Sequence, residues 1–481
     1  MMKLSLMPCA LLSAFVLAGC AVGPDFVRPA APTAQRYTAE PLRDLPADGA
    51  TGQRFVAGQE VLPRWWTLFG SDELNTLVDA ALAANPDLQA ADAGLRAARE
   101  TAAAQRGALA PTVDLQLTPT RQQVARTLSS PTASGVNLYT LHTAQLNIAY
   151  APDVFGGTRR ALEAGAAQVD AVRCEADAAR LTLVSNLVLA AITDASLRAQ
   201  LEAMTALADS ARKQLDAVRK QQHAGLLGAA DVAAQEALLA QAEAGLPPLE
   251  KQLQQQRDLL AVLAGRLPSD SPASQLTFDS LHLPEQLPVS LPARLVAQRP
   301  DIRAAEAQLH AASAQVGVAQ AARLPGVSLT ASLGSAALTT GTLFKAGTGL
   351  WSIGADLVQP LFHGGALMHE QRAAEAQYDQ AAAQYRSVVL TAFQNVADTL
   401  YAIEADARGL RAAVAAEQAA GRSLTIARRQ WQLGGGAYTA VLQAEQAYQQ
   451  AAMALIQARA ARYADTVALF QALGGGWQDQ A

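Results

Sequence analysis

Only three of the 481 residues are cysteine, aromatic side chains make up 5%, and the formal net charge is −5. Lysine and arginine form no cluster, which argues against a nucleic-acid partner. Beyond the first nineteen residues there is no run of 18 or more apolar residues, so no transmembrane helix is expected. The six histidines (142, 223, 282, 310, 363 and 369) are scattered, and no zinc-type His-Glu-x-x-His occurs. The glycine triplets at Gly434 and Gly474 lack the Lys-Ser/Thr of a phosphate loop and read as helix ends. His363, beside Gly364 and Gly365, reads as structural. Neither an enzyme nor a cofactor nor a metal site is expected.

What is present begins with a leader. Lys3 supplies a positive start to residues 1–19, and Leu4–Ala18 is an apolar run too short to span a bilayer, as in a signal peptide. Leu17-Ala18-Gly19-Cys20 resembles the bacterial lipobox, which makes Cys20 the expected lipidation site and a covalent lipid the one expected modification. Ala21 follows where many inner-membrane lipoproteins carry aspartate, which favours the outer membrane. With Cys9 removed and Cys20 acylated, Cys174 is alone and no intrachain disulfide is expected. Residues 20–70, proline-rich and aperiodic from Pro24 to Pro63, read as a lipidated tether.

The rest of the chain says one thing twice. Asn85-Pro86-Asp87-Leu88 is answered by Arg299-Pro300-Asp301-Ile302, and in both copies the next proline, Pro111 or Pro325, comes 24 positions after the aspartate. Pro152 through Gly157 is answered by Pro360 through Gly365, and Gly225 through Val232 by Gly434 through Val441. Units of about 210 residues are too long for a solenoid, so the chain reads as a duplicated helix-strand-strand-helix-helix module. The first module is placed at 71–267, a linker at 268–290, the second module at 291–476 and a tail at 477–481.

Within each module the period changes. Val327, Leu329, Ala331 and Leu333 alternate with Ser328, Thr330 and Ser332, and Trp351, Ile353, Ala355 and Leu357 alternate with Ser352, Gly354 and Asp356. Period two is strand behaviour. Strands are expected at about 112–126, 137–155, 326–339 and 350–362. Proline-free stretches follow, predicting helices at about 157–222 and 365–432, with partners at about 229–264 and 437–473. Leu183, Leu187, Ala190, Asp194 and Leu197 continue to Val218 in steps of four and three, as do Val389, Phe393, Val396 and Leu400 to Val414. That is the spacing of coiled-coil packing. Some 65 helical residues reach roughly 100 Å.

Four strands leave two open edges, which lipid does not tolerate. Copies arranged in a ring close them: two copies give eight strands with a filled interior, three give twelve with a bore. Three are favoured.

These features come together in a resemblance. Cys20-Ala21-Val22-Gly23-Pro24-Asp25-Phe26, Leu291-Pro292 with Leu295, Arg299 to Ile302 with Ala305-Glu306, and Ala472-Leu473-Gly474-Gly475-Gly476-Trp477 resemble the TolC-like outer-membrane factors of tripartite efflux systems, in their NodT-type lipoprotein branch. The resemblance implies an α+β membrane protein: a homotrimer whose twelve-stranded outer-membrane β-barrel, four strands per chain, is continuous with a long periplasmic α-helical barrel. It implies a passive duct receiving small molecules from an inner-membrane transporter of the RND type through a periplasmic adaptor (membrane fusion) protein. A type I-like secretion duct and a non-channel, lipid-anchored coiled-coil protein stay open as alternatives. By the same resemblance Gly225, Asp231, Val232, Gly434, Gly436 and Tyr438 are the periplasmic tips that contact the adaptor, and Ala440 and Gln443 line the constriction. Val327, Leu329, Leu333, Trp351, Ile353 and Leu357 are expected to face lipid. Many members carry an acidic residue where Gln443 stands, so a closed tip held more by packing and hydrogen bonds than by charge, with weaker cation selectivity, is expected. The loops around Ser129–Gly135 and Thr339–Gly349 are expected outside the cell.

Overall fold

The computed structural model describes residues 21–42, 52–125, 127–128, 135–270 and 276–476. The leader, Cys20, most of the Ser129–Gly135 loop and the tail 477–481 lie outside these residues. The first module runs α1 (Asp72–Ala84), α2 (Pro86–Arg106), β2 (Thr112–Gln123), β3 (Leu138–Tyr150), α3 (Gly157–His223) and α4 (Ala229–Leu263). The second repeats it as α5 (Pro292–Gln298), α6 (Pro300–Ala321), β5 (Gly326–Ala337), β6 (Gly349–Val358), α7 (Ala366–Gln432) and α8 (Tyr438–Ala472). Two short strands, β1 (Arg54–Ala57) and β4 (Gln286–Val289), precede the two modules.

Pro86 and Pro300 open α2 and α6, where a missing N–H costs nothing, and Asp87 and Asp301 meet the positive end of each helix dipole. The residue before each proline roots its module. Asn85 caps α2 through Oδ1, and its Nδ2 donates to the carbonyl of Leu263, the last residue of α4 (3.0 Å). Arg299 does the corresponding work in the second module: its Nη1 donates to Ala472 O at the end of α8 (2.9 Å) and to Ala392 O (3.3 Å). The long strands stop earlier than expected at their distal ends, at Tyr150 and Val358, because Pro152 and Pro360 have no N–H to continue a ladder.

The tether and linker are less free than their composition implies. β1 pairs in parallel with β4, Arg54 to Ala57 against Gln286 to Val289, so residues read as two connectors form one small sheet. Just beyond β1, Trp65, Trp66 and Phe69 are fully buried, with Trp65 stacked on Phe470 at 5.2 Å.

The chain divides into two compact units that cut across the duplication. One, comprising residues up to Pro29, Leu95–Val172 and Ala305–Tyr385, holds the four-stranded sheet; the other, Ala30–Gly94, Arg173–Ala304 and Arg386–Ala481, holds the aromatic core and the helix turns. The heptad stripe of α3 is buried at Leu187, Asp194, Ala208, Ala211, Leu215 and Val218, and that of α7 at Val396, Leu400 and Ile403. Toward Ala407, Leu410 and Val414 the α7 stripe is only half buried within one chain. One window of α3 reaches a mean hydropathy of 1.3, but 56% of it is buried inside the chain, so it is a core stripe made apolar by alanine, leucine and valine.

Candidate functional site

In the sheet, alternation in sequence becomes two surfaces. Its order is β2-β3-β5-β6, antiparallel throughout. Opposed residues share a face, and the register carries the apolar set across all four strands. Val113, Ile148, Ala331 and Ile353 form one row, and Leu115, Leu146, Leu333 and Trp351 the next. Val327 opposite Leu357 and Leu329 opposite Ala355 lie on the same side, so all six residues expected to face lipid share one face. Trp351, Ile353 and Leu357 are 74%, 79% and 71% exposed, far from what a water-facing sheet tolerates. The opposite face carries Asp114, Asn147, Ser332 and Ser352 in one row. There Asn147 Nδ2 donates to Gln116 Oε1 (3.2 Å), and the hydroxyls of Ser332 and Ser352 are 2.8 Å apart. β2 and β6 are edges with no partner strand among the described residues. A sheet apolar on one side, polar on the other and open at both edges suits a ring with lipid outside and water inside.

The helix turns form the second candidate region. Gly225 (φ +75°) ends α3 and Gly434 (φ +76°) ends α7, left-handed positions that glycine occupies without strain. Asp231 Oδ2 accepts from Gly228 N (3.0 Å) and so closes the start of α4. Behind the turns Val218, Tyr438 and Val441 form a buried cluster flanked by Leu227, Val232 and Trp431. Tyr438, expected as an adaptor contact, is turned inward: it is 5% exposed, its ring lies 5.0 Å from that of Trp431 at a tilt of 49°, and its hydroxyl donates to Gln235 Oε1. Burial raises its pKa, and the charges of Glu445 and Asp231 add to the effect. Its work is to join the α3–α4 hairpin to the α7–α8 hairpin. The side chains that the turns do present are Leu226 and Leu433, at 73% and 79% exposed. Both were legible as leucines in glycine turns, where polar residues are usual.

Ala440 and Gln443 are exposed, three residues apart on α8 and therefore on one helix face. Glu445 points the other way. Its side chain is 3% exposed, Arg428 Nη2 donates to its Oε1 (2.8 Å), and Gln214 donates to the same oxygen. Arg428 Nη2 also donates to Ser210 Oγ (3.1 Å), tying α7 and α8 to α3. Within one chain the turns are held by packing, by hydrogen bonds and by one buried ion pair that sequence spacing did not single out.

A carboxyl pair lies further along the same two helices. Asp406 of α7 and Asp465 of α8 meet beside the buried guanidinium of Arg462, and burial with the neighbouring Asp406 pushes Asp465 up to about 7. A folded pKa raised above the unfolded value favours the native state fully below about pH 4, with the benefit lost as pH rises toward 7. Asp465→Asn should therefore raise the unfolding midpoint by about 2–4 °C at pH 8 and leave it nearly unchanged at pH 4. Tryptophan fluorescence of the detergent-solubilised protein on heating checks this.

The chain resembles known proteins over both modules. The model of the "Outer membrane efflux protein" family matches the chain twice, over residues 77–266 and 291–475, one match per module. The toluene efflux pump outer membrane protein TtgI of Pseudomonas putida is 33% identical over 83% of this chain and 83% of its own length. The pyoverdine export outer membrane protein OpmQ of Pseudomonas putida is 33% identical over 71% of this chain and 73% of its own. Among solved structures, the outer-membrane channel OprN superposes with a TM-score of 0.85 at 27% identity, covering 96% of this chain and 100% of that one. The Vibrio cholerae outer membrane protein VceC gives 0.81 at 30% identity, covering 87% and 100%.

Proposed function

The chain belongs to the outer membrane efflux protein family, and from that premise we propose that three copies close their sheets into one twelve-stranded barrel. The protein is an outer-membrane efflux channel, a passive exit duct. The observation that carries the closed ring is the two-faced sheet, whose open edges β2 and β6 would be costly in lipid unless paired with the next copy. Twelve strands leave a bore; eight do not. We assign the helix turns around Gly225, Asp231, Val232, Gly434 and Gly436 to a periplasmic adaptor, and exposed Leu226 and Leu433 give it an apolar foothold. The energy comes from an inner-membrane transporter of the RND type. Relatives that export toluene and pyoverdine point to small molecules as cargo. Lipidation of Cys20 anchors the chain in the same membrane.

A deletion strain should become sensitive to a subset of a panel of solvents, dyes, antibiotics, detergents and metals, with resistance restored by the intact gene. Unchanged susceptibility to every compound would count against efflux of toxic molecules and favour a secretion duct.

A further inference from the structure

The residues that follow the leader are clamped. Val22 N donates to Phe155 O (3.0 Å), at the junction where β3 gives way to α3. Arg160, in the first turn of α3 and 5% exposed, donates from Nε to Val22 O (3.1 Å) and from Nη2 to Gly23 O (3.3 Å) and Asp25 Oδ1 (2.6 Å). Its Nη1 donates to Glu163 Oε2 (2.7 Å), and the other oxygen of Glu163 is 2.9 Å from His310 Nε2 on α6. Phe26 stacks on the His310 ring at 4.3 Å, and Arg28 pairs with Glu306 at 2.8 Å. Gly23 (φ +100°) lies so close to α6 that a Cβ there would be 2.4 Å from Gly317 Cα. A Cβ on Gly156 would be 2.6 Å from Ala21 Cα.

The duplication supplies an internal control. In the second module the residue three after the Gly-Gly junction is Met368, 38% exposed, where the first has Arg160. The module fold therefore does not need a guanidinium at that position. The arginine serves the N-terminal segment, which only one module can receive.

We propose that residues 21–28 are a docked strap, locked by Arg160, that seats the lipid-bearing residue 20 at the Gly156 junction, so that anchor and sheet enter the bilayer as one body. This rests on the lipidation reading of Cys20. Ala21, the first residue after the lipidation position in sequence, lies against Gly156 at the junction. That junction lies just past Tyr150, where β3 and its share of the apolar face end. The acyl chains therefore meet the bilayer at the helix end of the sheet. A freely flexible tether of about 50 residues would let the anchor wander roughly 40 Å from its root. Docking removes that freedom, raising the effective concentration of the sheet at the membrane it must enter.

The test uses the full-length protein, inserted from detergent into phosphatidylethanolamine–phosphatidylglycerol liposomes. Gly23→Val undocks the strap from its own side, and Arg160→Ala removes the lock; each is made with Cys20 intact and with Cys20→Ser. Both should speed chymotrypsin cleavage after Phe26, which the docked strap stacks against His310, at least tenfold. Both should also lower insertion of heat-resistant channel several-fold, to the level of Cys20→Ser alone, with no further loss in the Cys20→Ser background. Unchanged insertion despite faster cleavage overturns the proposal, as does an equal loss in the unlipidated background, which marks a purely structural contact. Mass spectrometry of the N-terminal peptide separates the premise from the inference: without lipid on residue 20, both fall.

Discussion

Arg428→Ala should raise single-channel conductance several-fold and shift the channel toward long-lived open states. Among the described residues the guanidinium is the one cationic partner of Glu445, whose side chain is 3% exposed inside the α3–α7–α8 contact. Without it a carboxylate stays buried with only Gln214 to donate to it, a loss of about 2–4 kcal/mol after allowing for the partial exposure of Arg428. The cheapest relief is for the start of α8 to swing outward and hydrate Glu445, which also pulls Tyr438 from Gln235. Adding Glu445→Gln should restore most of the closed behaviour, because a neutral amide tolerates the site without a cation. That coupling between neighbours is what a double-mutant cycle in planar bilayers reads. Equal conductance in the wild type and Arg428→Ala would show that the turns are held by the Val218–Tyr438–Val441 cluster alone.

The second large effect separates two adjacent residues of β6. Ile353→Arg puts a charge in the middle of the apolar face, at about 2–4 kcal/mol per copy near the bilayer midplane, and three copies multiply it. The heat-resistant assembly should disappear from the outer-membrane fraction. Ser352→Arg, one residue earlier on the polar face, should assemble normally and shift the reversal potential toward anions. Loss of assembly in both, or in neither, would contradict the assignment of the two faces.

Much of this architecture is written locally and so was legible. The strands announce themselves by alternation, the long helices by four–three spacing, and the duplication by proline positions. What was not legible depends on partners distant in sequence. The segment after Cys20 reads as a tether because prolines break every period, yet it is held through backbone carbonyls that accept from Arg160, and carbonyls leave no trace in sequence. The β1–β4 ladder joins segments more than 200 residues apart, each too short to signal a strand alone. Tyr438 sits in a turn motif that promises exposure, and only the neighbouring hairpin's Gln235 turns it inward. Asp406 and Asp465 are unremarkable singly; adjacency of α7 and α8 makes them a pair.

The roots of the two modules differ in stiffness. Asn85 holds the end of α4 by a single neutral amide bond, while Arg299 grips two carbonyls, on α7 and at the end of α8, with a charge backed by Asp301. Charge-assisted bonds are roughly twice as strong as neutral ones. Under a pull applied at the turns, the first hairpin gives at its root before the second, so one duplicated gene has produced a compliant leg and a stiff one side by side in every copy of the duct.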